Sequence, residues 1–309
     1  MLDTAAALLP VFLLIVAGFL IRRTLMPDDA HWSGPERLTY YVLFPALLID
    51  TLARADFTGV PVAGVAGALV GAILAMSVIC LAARPLMASR LAIDGPAFTS
   101  LFQGATRWQT FVGLAVSASL YGAPGVALAS VAVATMIPVL NVINVIVLAR
   151  YAAAEPPGWR AIVTALVRNP FIWSCAAGIA LNVLGLPLTG PIHVFADALG
   201  RASLAIGLLL TGAGLAIEGL LRPAAANIIA TALKLVLMPA MALGLAMIFG
   251  LSGTALAVVG VCSSVPTASN AYVLARQMGG HAGLMSEILT LQTVLAVITM
   301  PIVLALVGR

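Results

Sequence analysis

Apolar runs long enough to cross a bilayer follow one another along this chain, separated by short polar breaks. The first, Leu8 to Ile21, ends at Arg22-Arg23; a polar loop, Met26 to Pro35, precedes a second span from about Arg37 to Leu52. The third occupies the uncharged stretch Phe57 to Ala83. No charge falls between Arg107 and Arg150, too long a stretch for one helix, and Tyr121-Gly-Ala-Pro-Gly125 is the turn within it. Spans four and five are therefore expected over about Pro96–Leu120 and Val126–Ala149. The loop Arg150 to Arg160, with Glu155-Pro156-Pro157-Gly158, is the strongest hydrophilic break. Span six follows from Asn169 to Leu186, and span seven from about Ala196 to Ile217, closed by Glu218 and Arg222. Charge is absent again from Leu235 to Ala275, where Phe249 to Thr254 divides spans eight and nine, and span ten runs from about Leu284 to Val307.

Composition sharpens this into a membrane protein. The chain is 62% hydrophobic and 8% charged, whereas a soluble domain carries roughly a quarter charged residues. A spanning helix needs about 20 apolar residues, so the 309 residues have room for about ten spans in a lipid bilayer. A net charge of +4, dispersed along the chain, does not suggest nucleic acid. Cys80, Cys175 and Cys262 lie in separate apolar segments without metal spacing and read as packing residues. Asp3, with no basic stretch before the first apolar run, argues against a cleaved signal peptide. Arg22, Arg23, Arg84, Arg90, Arg150, Arg160, Arg222 and Arg276 all follow odd-numbered spans, against little beyond Arg54 and Arg309 on the other side. The arginine-rich side is expected to be cytoplasmic, with both termini outside.

The halves echo one another. Pro10 and Gly18 are spaced like Pro170 and Gly178, and Pro45 to Thr51 lies at the same offset of 160 from Ala205 to Thr211. Pro138-Val-Leu echoes Pro301-Ile-Val-Leu at 163. The reading is an all-α fold of two five-span repeats, residues 1–150 and 151–309. Five is odd, so the second copy enters the membrane from the opposite face, an inverted repeat of the kind many secondary transporters carry.

Span nine, Gly260 to Gln277, is interrupted by Pro266 among Ser263, Ser264, Thr267, Ser269 and Asn270. Its repeat partner, span four, carries Gln103, Arg107, Gln109 and Thr110. At 1.5 Å per residue, Arg107 and Pro266 both fall near the middle of a roughly 30 Å core. Backbone groups freed there are costly unless protein or a watered cavity satisfies them, so both segments are expected to line a cavity.

These residues resemble the auxin efflux carrier family, bacterial relatives of the plant auxin exporters, across essentially the whole chain. The clearest points are Val42-Leu-Phe-Pro-Ala-Leu-Leu-Ile49, Pro266-Thr-Ala-Ser-Asn-Ala-Tyr-Val-Leu-Ala275, Thr293 through Pro301, and Arg107-Trp-Gln-Thr-Phe-Val-Gly-Leu114. Gln109 stands where the family usually has Asn, and Ala115 where Pro is frequent. The resemblance implies a fold like the bile-acid and sodium/proton transporters, with spans four and nine crossing at the midplane. A scaffold of spans one, two, six and seven would hold a moving domain of spans three to five and eight to ten. It further implies a bacterial inner-membrane carrier of small organic anions, auxin-like or dicarboxylate, without sodium coupling. A homodimer through the scaffold is an assembly this plan allows.

The candidate substrate residues are Arg107, Gln109, Thr110, Lys234, Ser264, Pro266, Thr267, Ser269 and Asn270. Arg107 offers a fork for a carboxylate, and Lys234 a second mid-depth cation that binds substrate or neutralises carbonyl ends at the crossover. Gln103, Asn141 and Asn144 are secondary candidates, the asparagines more as interhelical bonds. Glu287 is the candidate for proton or ion coupling. His31, His193 and His281 form no metal cluster, and no cofactor is expected. The alternatives within the membrane are a sodium- or proton-coupled symporter or antiporter on the same fold, or a non-transporting sensor. An enzyme is disfavoured, because neither His-Glu-x-x-His nor Gly-x-Ser-x-Gly nor an intramembrane Asp pair occurs.

Overall fold

The computed structural model describes residues 2–55, 61–152, 160, 163–164, 167–168, 170–215, 217 and 223–307, and its secondary structure is entirely helical. Glu155 to Gly158, Asn169, Glu218, Arg222 and Arg309 lie outside the described residues. The helices are α1 Leu2–Thr24, α2 Asp29–Leu38, α3 Phe44–Arg54, α4 Val62–Leu91, α5 Gly95–Thr106, α6 Thr110–Tyr151 and α7 Pro170–Val183. They continue as α8 Gly190–Ala213, α9 Ala225–Ala232, α10 Met238–Ile248, α11 Gly253–Ser264, α12 Asn270–Gln277 and α13 Ala282–Val307. Five stretches are long and apolar enough to cross a membrane: Val62–Leu91, Pro124–Tyr151, Gly190–Ala213, Ala225–Ile248 and Ala282–Val307.

Local chemistry accounts for the irregular points. π-turns at Thr39–Leu43 and Leu233–Leu237 join α2 to α3 and α9 to α10. Each precedes a proline, Pro45 or Pro239, whose missing N–H and ring collide with regular α-helical bonding. The widened turn answers with bonds five residues long, Phe44 N–H to Thr39 O and Met238 N–H to Leu233 O. In α6 the break falls at Gly122, whose φ of 57° and ψ of −143° suit glycine alone, inside the expected Tyr121–Gly125 turn. The polar stretch Met26 to Pro35, expected as a loop, is helical from Asp29 onward. Trp32 ties it down by donating to Met26 O at 2.8 Å.

The helices pack in two groups. α1 lies along α8, and α3 against α7 and α8; α4 packs on α10 and α6, α11 on α6, α10 and α13, and α5 on α9, α6 and α13. The α1–α8 contact is backbone to backbone: a methyl at Gly18 would land on the Leu209 carbonyl, and one at Gly212 on that of Ile15. Such small-residue crossings are how membrane helices approach closely. Phe98, Leu101, Phe102, Val258, Val261 and Met285 centre the core of the second group, and all three cysteines are buried and unpaired.

Candidate functional site: a cavity ending on two broken helices

Two helices stop midway. α5 ends at Thr106 and the chain runs extended through Arg107 (ψ 159°) before Gln109 opens α6. α11 ends at Ser264, Val265 is extended (ψ 152°), and α12 starts at Asn270. The breaks are laced together. Gln109 N–H donates to the Pro266 carbonyl at 2.8 Å, and the Thr267 hydroxyl to the Gln103 carbonyl at 3.1 Å. Gln292 of α13 serves both: its Oε1 accepts Thr267 N–H at 2.8 Å, while its Nε2 donates to Gly104 O at 3.0 Å and Ala230 O at 3.3 Å. Span four thus unwinds without a proline at its break, because the second break supplies the carbonyl that takes its Gln109 N–H.

A cavity of about 1330 Å³ runs from this junction to the arginine-rich end of the molecule. It lies between the two packed groups, with α1–α3 and α8 on one side and α6, α12 and α13 on the other. Its mouth carries Arg22, Arg23, Arg37 and Arg276, and its inner end Arg107, Gln109, Thr110, Asn141, Ser269 and Asn270. Arg107 donates to Asn270 Oδ1 at 2.8 Å and Asn141 Oδ1 at 3.3 Å, while its buried Nε has no partner among the described residues. Gln109, Thr211 and Ser269 form a closed triangle: Gln109 Nε2 donates to Ser269 Oγ (2.7 Å) and Thr211 Oγ1 (2.9 Å), and the two hydroxyls lie 2.7 Å apart. Just past the break Phe111 meets Phe44 edge-on at 5.0 Å, and the wall contributed by the first half of α6 stops there. Tyr40, Tyr41, Trp108 and Tyr272 add aromatic surface to the cavity.

The other candidates stand behind or beside this cavity. Lys234 is fully buried and outside its lining. Ser264 bonds back to Val261 O (3.2 Å), and Asn144 to Leu140 O (2.7 Å). Pro266 and Thr267 hold the junction through the bonds above. Gln103 is wholly buried with its side-chain amide unpaired among the described residues. Glu287 is half-buried and outside the lining. Thr211 and Gln292 were not among the candidates. Each is a polar residue inside an apolar run, and that was the signal available for both. At the opposite end, a pocket of about 310 Å³ lies between α3, α6 and α8. Asp50 pairs there with His193 Nδ1 at 2.8 Å, Asp197 bonds Arg201 Nε at 2.8 Å, and Arg54 donates to Leu188 O at 2.9 Å. No group of three metal-ligating side chains occurs among the described residues.

The orientation of the broken helices matters for the chemistry. The lining takes Arg107 to Phe111, Ala268 to Asn270 and Tyr272, the starts of α6 and α12, and nothing from the ends of α5 or α11. Helix N-termini carry about half a positive charge each, so the cavity's inner end presents two such ends beside a guanidinium.

An apolar helical bundle enclosing a polar-ended cavity at broken helices is the build of a membrane transport protein. The chain belongs to the family described as membrane transport protein, the auxin efflux carriers, whose model matches residues 4–304. It is 24% identical over 312 aligned residues to a protein of Methanothermobacter thermautotrophicus described as an uncharacterized transporter, an alignment covering 97% of each. The family is one of transporters rather than enzymes.

Proposed function

We propose that the protein is a sodium-independent secondary carrier of small organic anions, working by elevator-like alternating access. The observation that carries this reading is the cavity's charge: five arginines and one acid, Glu36, line it. A positive cleft between low-dielectric walls concentrates anions and repels sodium. The Arg107 fork suits a carboxylate, and the aromatic wall suits an apolar body behind it. The structural residues of this reading are ten spans in two inverted repeats crossing at the laced breaks. The two packed groups support a division into a scaffold of spans one, two, six and seven and a moving domain holding both breaks.

The test is calorimetric binding of mono- and dicarboxylates in sodium and in choline buffer. At least one carboxylate should bind, with equal affinity in both; binding that requires sodium would replace this reading with a symporter. Orientation is tested separately. With the arginine-rich mouth cytoplasmic, a reporter fused after residue 309 that is active only outside the cytoplasm should give signal. A cytoplasmic signal there would reverse the topology.

A further inference from the structure

Behind the cavity, the ends of α5 and α11 present the opposite polarity. Helix C-termini carry about half a negative charge each, and those of α5 and α11 stop at Thr106 and Ser264 with no acid beside them in the sequence. Carbonyl ends at a broken-helix junction are a setting in which transporters coordinate a monovalent cation.

Lys234 stands at this place. It is among the largest fully buried side chains, and its Nζ has no hydrogen-bond partner among the described residues. Its π-turn packs against α5, α11 and α13. Helical side chains lean toward the preceding turn, which for Lys234 is the level of Ala230. There Gly104, in the last turn of α5, approaches so closely that a methyl on it would sit 3.2 Å from the Ala230 side chain. Cys262, in the last turn of α11, lies within electrostatic reach of the ammonium. Asn227 and Thr231, on the same face as Lys234 by helical spacing, are also buried with unpaired polar atoms among the described residues. Glu287, on α13, is half-buried and forms no ion pair with Lys234.

We infer that Lys234 is a resident cation: its ammonium neutralises the converging C-terminal ends of α5 and α11 and fills the place of a bound monovalent cation. Two half-charges balance one ammonium, which explains how a lysine is held in the core without an acid. Being tethered, this cation neither enters nor leaves during a cycle. The inference concerns the junction alone and stands apart from the anion-carrier reading, because its readout is unfolding rather than transport.

The experiment is thermal unfolding of the purified chain in choline, sodium, potassium and ethylammonium chlorides at equal ionic strength. The wild-type midpoint should be the same in all four. Lys234→Ala, which opens the space, should melt several degrees lower in choline and regain most of that loss in sodium or ethylammonium; recovery of folded Lys234→Ala only in those salts is the same result in stronger form. Lys234→Met, which keeps the bulk without the charge, should melt below wild type and respond to no cation. A Lys234→Met midpoint at or above wild type overturns the inference. So does a Lys234→Ala loss that no cation restores, including failure to obtain it folded in any of the four salts.

Discussion

Arg107→Gln should lower carboxylate affinity by at least tenfold and leave the unfolding midpoint close to that of wild type. A guanidinium has five N–H donors; two of Arg107's are engaged, by Asn270 and Asn141, and its Nε–H is unclaimed among the described residues. The asparagines hold the fork in place and leave donors for a ligand in the cavity. A hydrogen bond to a charged group contributes about 1.5–3 kcal/mol, or roughly ten- to a hundredfold in affinity. Arg107→Lys keeps the charge but not the fork and should fall between the two. Calorimetry on the three proteins decides it. Equal affinities would make Arg107 a strut between α6 and α12 and nothing more.

The second large effect is structural. Gly212→Ala should destabilise the fold by several degrees, and Gly18→Ala similarly, because each added methyl lands on a carbonyl of the opposing helix rather than on a side chain that can turn aside. Overpacking costs about 1–3 kcal/mol even where side chains yield, and two helix backbones have less freedom to do so. Gly244→Ala is the control, since nothing lies within 4 Å of its methyl. Unfolding midpoints of Gly212→Ala and Gly244→Ala that coincide would mean that α1 and α8 separate at no cost.

Much of this was legible in the chain, unevenly. Pro266 marks its break directly, since a proline removes a donor wherever it sits. The break at Arg107 to Gln109 has no such mark; the bond from Gln109 to the Pro266 carbonyl, 157 residues away, sets it. Depth was readable from residue counts, and Lys234 and Arg107 both sit by the junction. Which side of it each occupies was not, because azimuth depends on neighbours that a single helix does not encode. Ser264, Asn144 and Thr267 illustrate the same gap: their polarity is spent on backbone carbonyls rather than on the cavity. Gln292 went unread for the opposite reason, one amide in a long apolar run whose three partners, Thr267, Gly104 and Ala230, lie on other segments. The helix Asp29–Leu38 was hidden by its polarity, which reads as loop where membrane spans set the expectation.

The buried state of Cys80, Cys175 and Cys262 has a practical side. The chain has no fourth cysteine, so a thiol-directed label offered to the folded protein meets no native target. Any cysteine introduced at the surface becomes the sole attachment point, without first stripping the background. Positions 126 and 201, on opposite walls of the small pocket between α3, α6 and α8, would then carry a pair of spectroscopic probes. Their separation would follow, molecule by molecule, whether that side ever opens.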